Sequence, residues 1–325
     1  MAVITDGSAV LGLGDIGPAA GMPVMEGKCA LFKEFGGVDA FPICVDTKDV
    51  DKLVETIALI SKSFGGINLE DIAAPRCFEV ERRLKEVCDI PVFHDDQHGT
   101  AIVVAAALLN AMRVTGKQMG QMKIVINGAG AAGIAIGKLL ISMGFGNIVM
   151  CDINGIICEG DEGLNAGQEE ISHISNRNHE HGTLADACGE RTLRGRVPAQ
   201  PGDGGDGVHH EGWHRVRHGQ PHPGDHAGRG EAGRCGGGGH RAQRFSQPDQ
   251  QRHGLPRHLQ GALAVRAREI TEGMKIRAAR ALAALVTDEQ LSADYILPSA
   301  LDKSVADTVA HAVAQEAREQ GIARA

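Results

Sequence analysis

Apolar positions fall into three regimes along the 325 residues. Residues 1–110 alternate short apolar runs with helices that carry one polar face. AVIT at 2–5 reads as a strand. It follows Met1 directly, so a lead-in segment ahead of it is expected. Residues 45–60 open on Asp46 and Thr47, either of which can cap a helix running through Ile60. Residues 64–69 read as a strand. Residues 75–87 read as a helix with Glu79, Glu81, Arg82, Arg83 and Lys85 outward, residues 91–93 as a short strand, and 101–112 as a nearly all-apolar, buried helix. Between 121 and 190 the character changes. MKIVI at 122–126 is the continuous apolar run of a buried parallel strand. A glycine turn follows, then a helix over 134–143, then a strand from Asn147 that ends at Cys151 and Asp152: one βαβ unit. From 270 to 325 the alanine-rich i/i+3/i+4 spacing predicts helix again.

Residues 191–260 fit neither period. They hold sixteen Gly, nine His and eleven Arg, and no Lys, Ile, Asn, Met or Tyr. Such a stretch cannot bury enough apolar surface to offset its ordering entropy.

Composition narrows the function. With 41 Asp+Glu against 33 Lys+Arg, the chain is mildly acidic, which argues against a nucleic-acid or membrane-surface role. No uninterrupted apolar run reaches the roughly 18 residues of a membrane span, and MAVITD lacks the basic-then-apolar start of a signal peptide. The eight cysteines are scattered without a CxxC pair, so reduced thiols and a cytoplasmic location are expected.

The glycine turn is G-x-G-x-x-G: Gly128, Ala129, Gly130, Ala131, Ala132, Gly133. Its context carries it: a strand before, a helix after, and an acid, Asp152, about 20 residues on at the next strand's end. Gly128 permits the turn, Gly130 lets the backbone approach a pyrophosphate, and Gly133 lets helix pack on strand. The helix N-terminus offers N–H groups to phosphate. Asp152 on the ribose hydroxyls favours NAD and leaves NADP open. Three segments upstream hold further chemistry: Gly27-Lys28, Glu70-Asp71 and Asp95-Asp96. Adjacent carboxylates at strand ends repel unless a cation lies between them, and hard oxygen donors of this kind suit Mg²⁺ or Mn²⁺. His94 and His98 read as supporting or surface groups.

These residues carry a resemblance. TDGSAVLGLGD at 5–15, PVMEGK at 23–28, GGINLED at 65–71, FHDDQHGTA at 93–101 and NGAGAAGIA at 127–135 resemble the signature blocks of malic enzyme in its shorter bacterial form. The similarity covers residues 2–187 and returns from about 261 to 325. It implies metal-assisted oxidative decarboxylation of (S)-malate to pyruvate and CO₂. Lys28 matches the family's general base, with Asp95 beside it, and Glu70, Asp71 and Asp96 match the metal ligands. Residues 129–132 match the loop that holds the cofactor phosphates. Two departures stand out. The family's general acid is a Tyr upstream of the first block, and the only Tyr here, Tyr295, lies in the tail. Ala9 stands where longer eukaryotic forms carry a substrate-binding Arg.

Family members have Asn-bearing segments like FAMANP, GRSDFPNQ and NNVMAFPGIFKGAL where residues 191–260 lie. A shifted reading frame contains them. Pairing the last two bases of each codon with the first of the next, His253-Gly254 permits only Met or Thr, and the steps through Gln260-Gly261 permit AFPGIFK. GAL at 261–263 then rejoins the family in frame. Residues 216–223 permit FAMANPT, and 241–250 permit RSDFPNQI. The stretch therefore reads as a frame slip near 188–195 that is restored near 260.

The expected architecture is α/β. A metal- and substrate-binding α/β domain over 1–110 precedes a Rossmann-like NAD(P)-binding domain over 111–325, whose C-terminal helices return to the first domain. A folded chain is expected to form a homo-oligomer acting on malate. The rival readings are a non-catalytic remnant that binds nucleotide or metal, and a malolactic-type 2-hydroxy-acid enzyme.

Overall fold

The computed structural model describes residues 1–10, 12–189, 259–299, 302 and 304–325, together with the backbone of the strand Val208–His210. The first sheet is built from β1 (Ala2–Thr5), β2 (Phe41–Cys44), β3 (Ile67–Leu69) and β4 (Val92–His94) in the order β2-β1-β3-β4. All of its pairs are parallel. β1, β3 and β4 are buried at every position, as strands covered on both faces must be. The covering helices are α1 (Gly17–Gly36), α2 (Val50–Ile60) and α3 (Arg76–Val87). α2 starts later than its sequence indicated. Asp49 is the N-cap and accepts from the N–H groups of Asp51 and Lys52, while the Thr47 hydroxyl is taken up by the Asp49 N–H. On α3, Glu81 is buried rather than exposed. It lies one turn from Cys77 and Leu84, so the helical period puts it on the inward stripe.

α4 (Asp95–Thr115) begins at the acid pair, six residues before the apolar run that announced it. It is long and apolar enough to cross a membrane by length and hydropathy, correcting the expectation from uninterrupted runs, but 61% of that window is buried inside the protein. Asp95 and Asp96 occupy its first turn. It is the central helix of the molecule, packed against α5 (Ala131–Met143) and α8 (Glu272–Ala284).

The second sheet follows the order β7-β6-β5-β8. β5 (Lys123–Asn127), α5 and β6 (Asn147–Asp152) form the parallel βαβ unit. β7 (Gly155–Ile156) folds back antiparallel to β6, and β8 (Val208–His210) lies antiparallel on the other edge of β5. The short helices α6 (Ala166–Ser172) and α7 (Leu184–Ala187) follow β7. The remainder of 191–258, and with it the frame-slip reading, lies outside the described residues.

The tail is two helices, not one continuous run. α8 is separated from α9 (Ser304–Glu319) by turns that include a bridge between Ser292 and Tyr295. Arg324 beyond α9 clasps Asp89, just past α3, at 2.6 Å, so the C-terminus reaches the first sheet's helices. Asn110 on α4 is fully buried and donates to the carbonyls of Ala283 and Ile296, both at 2.9 Å. Asn110→Ala leaves two buried carbonyls without a donor. It is expected to cost roughly 2–4 kcal/mol, read from the midpoint of a urea unfolding curve.

Candidate active site

The parallel register assembles the acidic site. Leu69 pairs with His94 across β3 and β4, so Glu70 and Asp95 both emerge one residue past the same rung. The Glu70 N–H is held by the Ile4 carbonyl of β1. The site thus lies at the carboxyl ends of three neighbouring strands, where open α/β sheets place their ligands. Lys28 reaches it from α1. Its ammonium is buried, 2.6 Å from Asp95 Oδ2 and 2.9 Å from Glu70 Oε1.

Glu70, Asp71 and Asp96 each offer an oxygen within 4.8 Å of the others. The Asp71 N–H donates to Asp96 Oδ2 at 2.9 Å, and Asp71 has φ +54°, a left-handed backbone seldom taken by residues other than Gly, Asn and Asp. Four carboxylates therefore gather at these strand ends, and the one ammonium among them pairs with Glu70 and Asp95. Burial raises the Glu70 pKa well above the ordinary carboxylate range; Lys28 pulls it down, and Asp95, Asp96 and Asp71 push it further up. Burial likewise raises Asp95 against the pull of Lys28. Burial disfavours charge on Lys28, but Asp95 and Glu70 outweigh it and hold the ammonium above its normal pKa.

Several supporting residues carry no motif of their own. Asn68, two residues before Glu70 and so on the same side of the strand, donates to Glu70 Oε2 at 2.7 Å. Arg76 bonds Asp6 at 2.8 Å and Ser8 at 2.9 Å, pinning the glycine-rich loop after β1. That loop touches the site through the Ala9 N–H, which donates to the Asp71 carbonyl. A Cβ on Gly99 would stand 1.9 Å from Asp95 Oδ1, so the carboxylate's place depends on a glycine one helical turn on. Such a signal is readable in sequence only once the helix is known to start at Asp95.

The two histidines separate. His98 is half-buried between helices rather than out on the surface. Its Nε2 lies 2.8 Å from Glu81 and its Nδ1 3.3 Å from the Lys275 ammonium, joining α3, α4 and α8. His94 is fully buried with neither ring nitrogen hydrogen-bonded, its Nδ1 3.8 Å from Asp96 Oδ2. Tyr295, 37% exposed, sits in the turn between α8 and α9.

At the other sheet, Gly128 has φ +114° and starts the turn into α5, whose N-cap Gly130 provides no side-chain bond. A Cβ on Gly133 would lie 1.9 Å from the Gly128 carbonyl oxygen, whereas a Cβ on Gly130 would meet no atom within 4 Å. The protein itself needs Gly133; the space beside Gly130 is open to a ligand. Ala129 is buried, and Ala131 and Ala132 open the helix at the same turn. Asn127 pairs with Cys151, so Asp152 stands beside the glycine turn, its Oδ1 accepting from the Asn154 N–H at 2.7 Å. Gly133→Ala is expected to destabilise the fold by about 2 kcal/mol or more, through overpacking against backbone. Gly130→Ala should change stability by less than about 0.5 kcal/mol. Paired thermal melts check the contrast.

Comparison with known proteins agrees with this geometry. The family model described as malic enzyme, N-terminal domain, matches residues 1–85, and that described as malic enzyme, NAD binding domain, matches 97–191. The chain is 48% identical to the bifunctional malic/malolactic enzyme of Bacillus subtilis, over all of this chain and 80% of that protein. It is 44% identical to the NAD-dependent malic enzyme of Geobacillus stearothermophilus, over all of this chain and 68% of that one. Among solved structures, the NAD-dependent malic enzyme of Thermotoga maritima superposes with a TM-score of 0.76 at 36% identity, covering 97% of this chain and 82% of that one. The malic enzyme of Pyrococcus horikoshii gives 0.77 at 33%, covering 99% and 77%. Two family domains in the order of the two sheets, and relatives matched along the whole of this chain, place it in the malic enzyme family.

Proposed function

We propose that the acidic cluster and the glycine turn serve oxidative decarboxylation of (S)-malate to pyruvate and CO₂, with a nicotinamide dinucleotide as hydride acceptor. The observation that carries the reading is the charge imbalance at the strand ends: four buried or half-buried carboxylates, of which one lysine pairs with two. Hard oxygen donors with uncompensated charge fit Mg²⁺ or Mn²⁺, held by Glu70, Asp71 and Asp96. When bound, such an ion polarises the C2 oxygen of malate and offsets the charge left as CO₂ departs. Gly128, Gly130 and Gly133 with Ala129, Ala131 and Ala132 cradle the cofactor phosphates, and Asp152 takes the ribose hydroxyls, which favours NAD over NADP.

The lysine does the proton chemistry. Lys28 is the group placed to accept the hydroxyl proton of malate as a free amine, and a cation held at Glu70 would weaken one of the two carboxylate contacts that keep it protonated. Asp95 stays as its partner at 2.6 Å and fixes the direction of Nζ throughout. Asn68 keeps the Glu70 carboxylate turned toward the cluster.

The test is the full-length chain with (S)-malate, Mn²⁺ and either NAD⁺ or NADP⁺, following reduced cofactor and pyruvate. With residues 191–260 as they stand, turnover is expected to be slow or absent while Mn²⁺ still binds. Turnover at a rate ordinary for enzymes, about 10 s⁻¹, would contradict the inactive part of this reading, and a chain that binds no Mn²⁺ would contradict the site. The similarity to the bifunctional malic/malolactic enzyme of Bacillus subtilis favours a second reading, malolactic conversion. Lactate formed without accumulating reduced cofactor identifies it.

A further inference from the structure

Three helices far apart in sequence meet in one line of polar groups next to the acid pair. Glu81 of α3 and Lys275 of α8 are buried, and half-buried His98, three residues past Asp95 on α4, lies between them. His98 Nε2 is 2.8 Å from Glu81 Oε1, and its Nδ1 is 3.3 Å from Lys275 Nζ. An ammonium only donates and an ionised carboxylate only accepts, so the imidazole joining them is neutral and carries its proton on Nε2. The ring also packs on Phe93 of β4, with centroids 5.2 Å apart, which restrains its tilt. Each end of the line has a second partner: Glu81 pairs with Lys85 at 2.7 Å, and Lys275 with Glu272 at 2.5 Å. Both charges are therefore compensated without the histidine.

Stability alone does not account for such a line, because apolar residues of similar volume often pack as well as buried ionic groups or better. Position does account for it. The N-cap of α4, His94, makes no side-chain capping bond. The first turn of that helix must nevertheless hold Asp95 and Asp96 close to Glu70 and Asp71, against the mutual repulsion of the carboxylates. Lys28 restrains Asp95 from α1, and the Asp71 N–H restrains Asp96 from the end of β3. The line through His98 ties the same turn to α3 and α8. We propose that Glu81, His98 and Lys275 position the cation ligands, fixing the first turn of α4 and through it Asp96, so that affinity for a divalent cation depends on a lysine from the C-terminal helices. The proposal rests on the reading of Glu70, Asp71 and Asp96 as the Mg²⁺ or Mn²⁺ site. The three residues act through the helix and are positioning residues, not ligands.

Mn²⁺ binding to the full chain, followed by electron paramagnetic resonance of the free ion, is the test, read together with a thermal melt in chelator. His98→Leu removes both bonds and leaves Glu81 and Lys275 their second partners. It is expected to weaken Mn²⁺ binding about tenfold or more, as loss of a group that orients a metal ligand does. The metal-free melting midpoint should move by less than about 4 °C. His98→Gln, whose amide can donate to Glu81 and accept from Lys275, should restore most of the affinity. Lys275→Met should also bind more weakly. Removing a positive charge near a cation site strengthens binding by Coulomb's law alone, so a loss there marks position rather than charge. A merely structural link would lower the melting midpoint and leave Mn²⁺ affinity alone. Parent-like affinity in His98→Leu or Lys275→Met overturns the proposal, as does a loss in His98→Gln as deep as in His98→Leu. If His98→Leu fails to fold by circular dichroism, Lys275→Met decides alone, weaker binding supporting the proposal and parent-like binding overturning it. A parent chain that takes up no Mn²⁺ removes the reading of the cluster and the proposal with it, whereas a parent that binds no better than its variants overturns the proposal only.

Discussion

Asp96→Asn is expected to weaken Mn²⁺ binding by roughly 100-fold or more while leaving the metal-free protein as stable as its parent or more so. The two halves of this outcome share one cause. Asp96 is one of three carboxylates whose oxygens lie within 4.8 Å of one another, and without a cation that proximity is repulsive. Asparagine keeps the oxygen that accepts the Asp71 N–H, so the turn that carries Asp71 in its left-handed conformation is retained. The negative charge goes, and with it the anionic donor. Losing an outer partner of a metal ligand costs 10–100-fold in affinity, so losing an anionic ligand itself lies at or beyond the top of that range. Asp71→Asn should behave alike, because Asn also tolerates a positive φ. Free Mn²⁺ counted by electron paramagnetic resonance gives the affinity, and a thermal melt in chelator gives the stability. Unchanged affinity in both variants would remove the carboxylate cluster as the metal site.

Much of this site could be read before any coordinates, because the chemistry is concentrated in short blocks at strand ends. Glu70-Asp71 and Asp95-Asp96 each follow a buried strand, and a parallel sheet brings such ends together without a long-range rule about side chains. The register, with Leu69 opposite His94, is what turns two sequence pairs into one cluster. The supporting residues were not legible in the same way. Glu81 reads as one of five charges on a polar helix face, and only the phase of α3 shows that it shares the inward stripe with Cys77, Val80 and Leu84. Burial raises its pKa, yet His98 and Lys85 reverse the effect and hold it ionised. Lys275, 177 residues from His98, meets it only because α8 returns to α4. α1 gave little warning either. Its N-cap, Ile16, makes no side-chain bond, and Pro23 lies within the helix, so the start is poorly marked although Gly37 and Lys33 mark its end.

The dinucleotide half divides at the same kind of boundary. The glycine turn and Asp152 were legible because each glycine has a separate local task, and Gly133, pressed against the Gly128 carbonyl, shows why no side chain is admitted there. Beyond Asp152 local rules say little. The expected parallel sheet is one parallel pair, β5 with β6, flanked by antiparallel neighbours on both edges. β7 is a hairpin return and needs no special account. β8 is different, since it falls inside a stretch that has no Ile or Tyr and only a scatter of Val, Leu, Phe, Trp and Thr with which to build a buried strand.

Replacing residues 191–260 by their shifted-frame reading is accordingly expected to raise NADH affinity by at least about 100-fold, equivalent to ~2.7 kcal/mol. A mononucleotide-binding half is built from parallel strands joined by crossovers, and its cofactor lies where the strand order reverses. In the chain as it stands, the position beside β5 is taken by Val208–His210, running antiparallel, with Ile126 opposite Val208 and Ile124 opposite His210. A parallel strand cannot occupy that edge at the same time. The shifted reading supplies apolar runs such as FAMANP and MAFPGIFK, whose aromatic, Met and Ile side chains can cover the exposed edge, together with asparagines able to bond a cofactor amide. The gain should therefore show in two measurements that move together: saturation of NADH fluorescence at much lower concentration, and a sharper, single unfolding transition. Asp152→Asn in the restored chain should take back part of the affinity, because the ribose loses its anionic acceptor. An equally weak NADH titration before and after restoration would mean that the stretch is not what limits the cofactor site, and a continuous open frame in the resequenced gene would remove the slip itself.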